Sequence, residues 1–365
     1  MGADVAGEVQ TGILSDSEIR AAFDLSQIRA PRPLDVDQVQ PASLDLRLGD
    51  VAYRVRASFL PGKALTVQER IDQLKLHEID LKAGAVLETG CVYIVPLLES
   101  LALPADIEAS TNPKSSTGRL DIFTRVIADR AQSFDTVPPG YAGPLYLEVS
   151  PRTFPIVART GSRLSQIRFR RGDARLSDSE LVALHAREPL VDGAPSISNG
   201  LLVSIDLEGA GDIIGYRAKR HTGVVDVDKR AACDVLDYWE PIRPRGKAEI
   251  ILDPDQFYIL VSREAVHVPP DYAAEMVAFD PLVGEFRVHY AGFFDPGFGH
   301  DAAGGAGSRA VLEVRSHEVP FILEHGQTVG RLVYERMSKR PALLYGADRG
   351  SNYQAQGLKL SKHFR

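Results

Sequence analysis

The chain has 365 residues, 44% of them hydrophobic and 25% charged, which suits two globular domains with ample cores. No apolar run approaches the ~18 residues of a membrane span and no signal pattern opens the chain, so a soluble cytoplasmic protein is expected, with no membrane partner. The formal charge of −7 disfavours a non-specific nucleic-acid binder; phosphate recognition should be local and directed at a small nucleotide rather than a duplex.

In chain order, residues 1–12 are rich in Gly and Ala and read as loose. A helix is predicted to start at a Ser15/Asp16 cap, with Ile19, Ala22 and Phe23 on one face. In PASLDLRLGD, Leu44, Leu46 and Leu48 alternate with Ser43, Asp45 and Arg47, and Gly49 ends the run, which reads as strand and turn. A charged stretch at 68–77 is predicted helical or irregular. Short strands are then predicted at 85–87, 92–97, 107–110, 122–127, 145–149 and 156–158, with Pro and Gly between them. Many short strands without regularly interposed helices predict a mainly β chain, a barrel or sandwich rather than a parallel α/β sheet.

The stretch from Pro113 to Glu148 carries the chemistry. PKSSTGRL gathers Lys114, Ser115, Ser116 and Arg119 within six residues. Hydroxyls, small residues that let backbone amides approach, and a guanidinium fork suit a polyphosphate. PPGYAGPLYLEV then reads as a turn and an alternating strand that places Glu148 between Leu147 and Val149. A carboxylate among apolar neighbours is a candidate general base, since partial burial moves its pKa toward the working range.

The chain also repeats itself at an offset of 165 residues: Tyr93 falls on Tyr258, Pro104 on Pro269, Asp106 on Asp271, Leu147-Glu148-Val149 on Leu312-Glu313-Val314, Pro155 on Pro320 and Gly161 on Gly326. The opening strand recurs as SIDL at 204–207. These matches predict a first unit over 1–185, a Pro-, Gly- and Ser-rich linker over 186–200, and a second unit over 201–365. The second copy lacks the phosphate loop, with Asp280, Pro281 and Gly284 in its place. It keeps Glu313 and has a sharper turn at Asp295-Pro296-Gly297, followed by a Gly-rich insertion, HDAAGGAGS.

These residues resemble the dCTP deaminases of the trimeric dUTPase-like superfamily. SLDLRLG, P-x-S-S-x-x-R, the pair Ala128 and Arg130, P-G-Y-A-G, L-E-V and the closing YGADRGSNYQAQG, with Tyr345, Tyr353 and Gln356, carry the likeness through nearly the whole chain. The resemblance implies two tandem β-clip units, each a distorted β-barrel, and hydrolytic deamination of dCTP to dUTP and ammonia, the dUTP serving thymidylate synthesis. It implies Glu148 as the base, with Ser115 and Arg119 orienting the water and the triphosphate. The substrate-binding residues would be Lys114, Ser116, Ala128, Arg130, Asp295, Glu313, Tyr345 and Gln356. Mg²⁺ would accompany the triphosphate, with no zinc: Cys91 and Cys233 are isolated, and the H-x-E and P-C-x-x-C of zinc deaminases are absent. A threefold assembly and inhibition by dTTP are usual in such enzymes.

Two positions depart from the family pattern. Pro138-Pro139-Gly140 stands where Asp-Pro-Gly would meet the deoxyribose, with Asp135 three residues earlier, and Asn352 replaces a tail lysine for which Lys359 could substitute. A dUTPase, alone or combined with deamination, and a non-catalytic nucleotide-binding regulator are the alternative functions. Since only the first half has the phosphate loop, one site per chain is expected, assembled from both halves. The second half's tail is expected to act as a lid, and Glu313 is the alternative base.

Overall fold

The computed structural model describes residues 10–209, 211–244, 246–278, 286–288, 292–316, 318–346 and 356–365, and the side chains of all of these except 278 and 286–288. The chain is mainly β with a few short helices, and no helix among the described residues is long and apolar enough to cross a membrane. The first helix, Asp16–Asp24, starts where its cap predicts: the Glu18 carboxylate accepts from the Ser15 N–H at 2.9 Å, and Ile19 and Ala22 are buried. The charged stretch becomes helix Val67–Leu74 followed by an edge strand, Lys75–Asp80. Thr66 and Glu69 cap that helix reciprocally.

The two units repeat one strand order. In the first, Val92–Ala102 pairs with Ala142–Pro151, which pairs with Ile122–Ala128; in the second, Phe257–Val266 pairs with Ser308–Ser316, which pairs with Phe286–Val288. Ile107–Pro113 against Ser165–Arg171 is matched by Tyr272–Ala278 against Thr328–Arg336. The repeat extends to register, because Glu148 stands opposite Ile94 as Glu313 stands opposite Ile259. Turns repeat as well: the Tyr93 hydroxyl accepts from Glu88 N at 3.0 Å and the Tyr258 hydroxyl from Asp253 N at 3.0 Å.

Strand Val92–Ala102 runs well past the predicted end at 97. Pro96 does not stop it because it sits opposite a bulge between Pro144 and Tyr146, where a missing N–H costs no ladder bond.

The junction also differs from expectation. Helix Asp178–Arg187 buries Leu181 and Leu184 in the second unit's core, and Leu190 and Val191 follow them. The segment 177–200 therefore packs as part of the second unit rather than as the end of the first and a linker. Apolar burial outweighs its turn-like composition.

The units are fused through their cores. Trp239, Phe257, Ile259 and Val311 of the second share one apolar cluster with Ile122, Val149 and Phe154 of the first. Phe154 meets Tyr238, Trp239 and Phe364 edge-on, with centroids 5.6, 5.4 and 6.2 Å apart. A second-unit strand, Val225–Asp226, adds in parallel to Ile156–Ala158, and Arg159 clamps Asp226 and Asp228 at 2.8 and 2.6 Å. This fusion fixes one face of the first unit against one face of the second.

Candidate active site between the two units

Strand Ile107–Pro113 delivers the chain to Lys114, which caps a single helical turn, Ser115–Gly118. Thr117 N and Gly118 N donate to Lys114 O at 2.8 and 3.0 Å, and Arg119 N to Ser115 O at 3.1 Å. The small Ser-Ser-Thr-Gly side chains permit so tight a turn at a buried seam. Lys114 N is tied to Leu164 O at 3.0 Å, and its ammonium donates to the Asp45 carboxylate. The loop is thus pinned at both backbone and side chain.

Opposite it stands the second unit. A cavity of about 460 Å³ opens between them, and its wall includes Lys114, Ser115, Ser116, Arg119, Asp295, Glu313, Tyr345 and Gln356. Eight of the eleven site residues expected from sequence therefore converge. Arg119, only 3% exposed, is the hub. It donates to Lys359 O at 3.0 Å and to Gln356 Oε1 at 3.1 Å, and its Nε lies 3.8 Å from Glu313 Oε1. Gln356 in turn donates to Arg309 O at 3.1 Å.

Burial pushes the Glu313 carboxyl up to about 8, and the Arg119 guanidinium only partly offsets this. A carboxyl that changes protonation near neutrality, facing a fixed cation across a cavity, can take a proton from one group and return it to another. Asp295 is also buried and is pushed up to about 6, with Arg168 opposing the rise and Asp45 adding to it.

Asp295 sits in the predicted turn. Phe298 N donates to Asp295 O at 3.1 Å, and Tyr345 N to Pro296 O at 2.8 Å. Gly297 has φ +95°, and a Cβ there would lie 3.0 Å from Leu344 Cβ and 3.1 Å from Tyr345 N, so only glycine allows the distant Leu344–Tyr345 segment to close over the turn. Phe293, Phe294, Phe298 and Met276 supply an apolar wall.

Three expected residues lie elsewhere. Glu148 is 1% exposed and does not line the cavity. Its Oε1 accepts from Arg125 Nη2 at 2.7 Å and Nε at 3.1 Å, and its Oε2 is buried without a hydrogen-bond partner. Arg125 is its direct cross-strand neighbour and stacks on Phe134, 3.5 Å from the ring centroid. Ala128 is buried in that same strand opposite Leu145, and Arg130 is exposed in a turn at φ +59°. The reason is topological: the first unit's glutamate hairpin faces away from its own loop, so the loop of 114–119 meets the second unit's hairpin.

Sequence reasoning missed other lining residues, among them Asp45, Arg163, Gln166 and Lys362. Asp45 was visible only as the polar position of an alternating strand. Arg163, which pairs with Asp35 at 2.7 Å and Asp37 at 2.9 Å, carries no local signal. Lys359, the suggested replacement cation, contributes its carbonyl to Arg119, whereas Lys362 lines the cavity. Burial lowers the pKa of Lys362, and Lys114 and Arg230 lower it further. The tail on either side of it is docked: Ser361 Oγ donates to Ser116 O at 2.8 Å, and Cys233 N to His363 O at 3.0 Å. Asp280, Pro281, Gly284, Asn352 and Tyr353 lie outside the described residues.

Comparison with known proteins matches this architecture from end to end. The family model described as "2'-deoxycytidine 5'-triphosphate deaminase (DCD) N-terminal domain" matches residues 10–173, and the model of the corresponding C-terminal domain matches 177–364. Those bounds agree with the junction seen in the packing. A crystal structure of 2'-deoxycytidine 5'-triphosphate deaminase from Agrobacterium tumefaciens is 71% identical, with a TM-score of 0.87 over 90% of this chain and 99% of that one. A dCTP deaminase of Shewanella amazonensis is 33% identical over 168 residues, 43% of this chain and 82% of that protein. A "dCTP deaminase, dUMP-forming" of Pseudarthrobacter chlorophenolicus is 31% identical over 158 residues, 43% of this chain and 78% of that protein. The chain belongs to the 2'-deoxycytidine 5'-triphosphate deaminase family.

Proposed function

We propose that this protein deaminates dCTP hydrolytically at one composite site per chain, and that Glu313, not Glu148, is its base. The observation that carries the proposal is the meeting of Glu313 with Arg119 at 3.8 Å in a cavity whose other wall is the loop of Ser115 and Ser116. Glu313 takes a proton from a water as the oxygen bonds to C4 of cytosine, and delivers it to the amine as the C4–N bond breaks. Water and dCTP become dUTP and ammonia. Arg119 and Ser115 hold the water and the charge that develops on it, a role in which a preorganised donor is worth ~3 kcal/mol.

Lys114, Ser116 and the Arg119 side of the loop receive the triphosphate. Asp295 takes the deoxyribose hydroxyl, and the docked tail, through Tyr345 and Gln356, closes the site. Mg²⁺ fits this arrangement as a companion of the triphosphate. Asp45 Oδ1, buried without a hydrogen-bond partner in a residue of the cavity wall, is an oxygen suited to a hydrated cation. The ion would neutralise phosphate charge.

The same reading makes each unit a β-clip barrel, in keeping with the repeated register. It also makes the chain one subunit of a cytoplasmic threefold assembly, with dTTP as a competitor for the cavity. Incubating the pure protein with dCTP and Mg²⁺ tests the activity. Equal amounts of dUTP and ammonia are expected; pyrophosphate release would point instead to combined deamination and diphosphate hydrolysis, and binding without turnover to a regulator.

A further inference from the structure

Arg168 has no place in the chemistry above, yet it is a fully buried arginine of the first unit whose side chain ends in the second. It lies on strand Ser165–Arg171. Its Nη1 donates to Ala274 O at 3.1 Å and its Nη2 to Phe294 O at 3.3 Å, while Nη2 also lies 3.4 Å from Asp295 Oδ1. The guanidinium carbon sits 4.0 Å from the centroid of the Phe293 ring. Ala274 and Phe294 are cross-strand partners, so the two carbonyls belong to the last rung before the chain turns at Asp295.

The geometry points to Arg168 as a positioning residue of the deamination site: a fork from the first unit that ends the second unit's ladder at Phe294 and aims the Asp295 carboxylate into the cavity. This inference rests on the reading of Asp295 as the sugar contact. A plain inter-unit ion pair does not account for the contacts. Glu335, the carboxylate at this joint, is already met by Arg170 at 2.5 Å, and Arg168 is farther from it, at 3.7 Å. Buried ion pairs contribute little net stability in any case. The planar fork reaching two carbonyls and a carboxylate is what arginine supplies and lysine does not. The charged groups acting on Asp295 are Arg168, Asp45 from strand Leu44–Leu46, and Lys114 from the loop, so Arg168 is the cation that contacts it directly.

The test compares Arg168→Met, Arg168→Lys and Glu335→Gln with the parent protein. It uses carbon-13 titration of the Asp295 carboxyl together with kcat and KM for dCTP and CTP. In folded Arg168→Met the Asp295 midpoint should rise by about a pH unit, in the direction expected when an adjacent cation is removed. KM for dCTP should rise at least tenfold with a smaller loss in kcat, and the preference for dCTP over CTP should fall at least tenfold. Arg168→Lys should recover part of both, and Glu335→Gln should leave selectivity unchanged. A folded Arg168→Met with the parent's titration and selectivity overturns the proposal, as does Glu335→Gln reproducing its losses. Should Arg168→Met fail to fold, Arg168→Lys decides: weakened selectivity supports the role and parent values refute it. If the parent protein does not turn over dCTP, the proposed function falls, while the Asp295 titration still decides the Arg168 link.

Discussion

In the proposed reaction Glu313 is the residue on which the chemistry turns, and its burial gives it a signature in pH. Its carboxyl is raised from an ordinary 4.5 to about 8, so the free protein holds it largely protonated at neutrality. A base must be ionised, so kcat/KM should fall as pH drops through about 8, which a pH–rate profile of the free enzyme reads directly. The linked stability has the opposite slope. A native pKa above the unfolded one means that the stabilisation is complete below about 4.5 and is lost as pH rises through about 8. Glu313→Gln, always neutral, should therefore gain in Tm over the parent protein between pH 5 and 9, as melting curves across that range will show. Arg119→Ala removes the hub donor and should lower turnover at least a hundredfold, in line with ~3 kcal/mol for such a donor. Near-normal kinetics in that variant would remove the loop from the site.

At the scale of elements, the loop, the glutamate hairpin and the Asp295 turn were each legible in the sequence, but their partnership was not. Leu147-Glu148-Val149 and Leu312-Glu313-Val314 are identical in local sequence and in register. No pattern within ten residues says which one faces the loop, because that depends on which unit packs across it. One sequence difference does set the second hairpin apart: Asp-Pro-Gly occurs at 295–297, ahead of Glu313, whereas the first unit has Pro138-Pro139-Gly140. Composition misled at 186–200, where turn-forming residues surround Leu190 and Val191, which the second core buries. The turn itself gives a sharp expectation. Gly297→Ala adds a Cβ at φ +95° against Leu344 and Tyr345, which should push the Leu344–Tyr345 segment away from the turn and raise KM for dCTP several-fold, with a loss of about 1 kcal/mol or more in denaturant melts. A variant with unchanged KM would show that this closure does not shape the site.

At the scale of the whole molecule, the two repeats share one apolar cluster rather than packing as two separate beads, so they should unfold together. The aromatic cluster of Phe154, Tyr238, Trp239 and Phe364 joins both units and the C-terminus. Phe154→Ala should cost ~3–5 kcal/mol and lower one cooperative calorimetric transition; splitting the melt into two, with one half unaffected, would show independent units. The fusion also explains the division of labour. A fixed interface needs only one loop and one opposing hairpin to make a site, so the first unit's Glu148 is left paired to Arg125 away from the cavity. The most direct measurement is dCTP turnover in Glu313→Gln beside Glu148→Gln, two changes that keep side-chain volume while removing a carboxylate. Loss of several powers of ten in kcat for Glu313→Gln, with Glu148→Gln within a few-fold of the parent protein, is the predicted result. An inactive Glu148→Gln with an active Glu313→Gln would contradict the composite site.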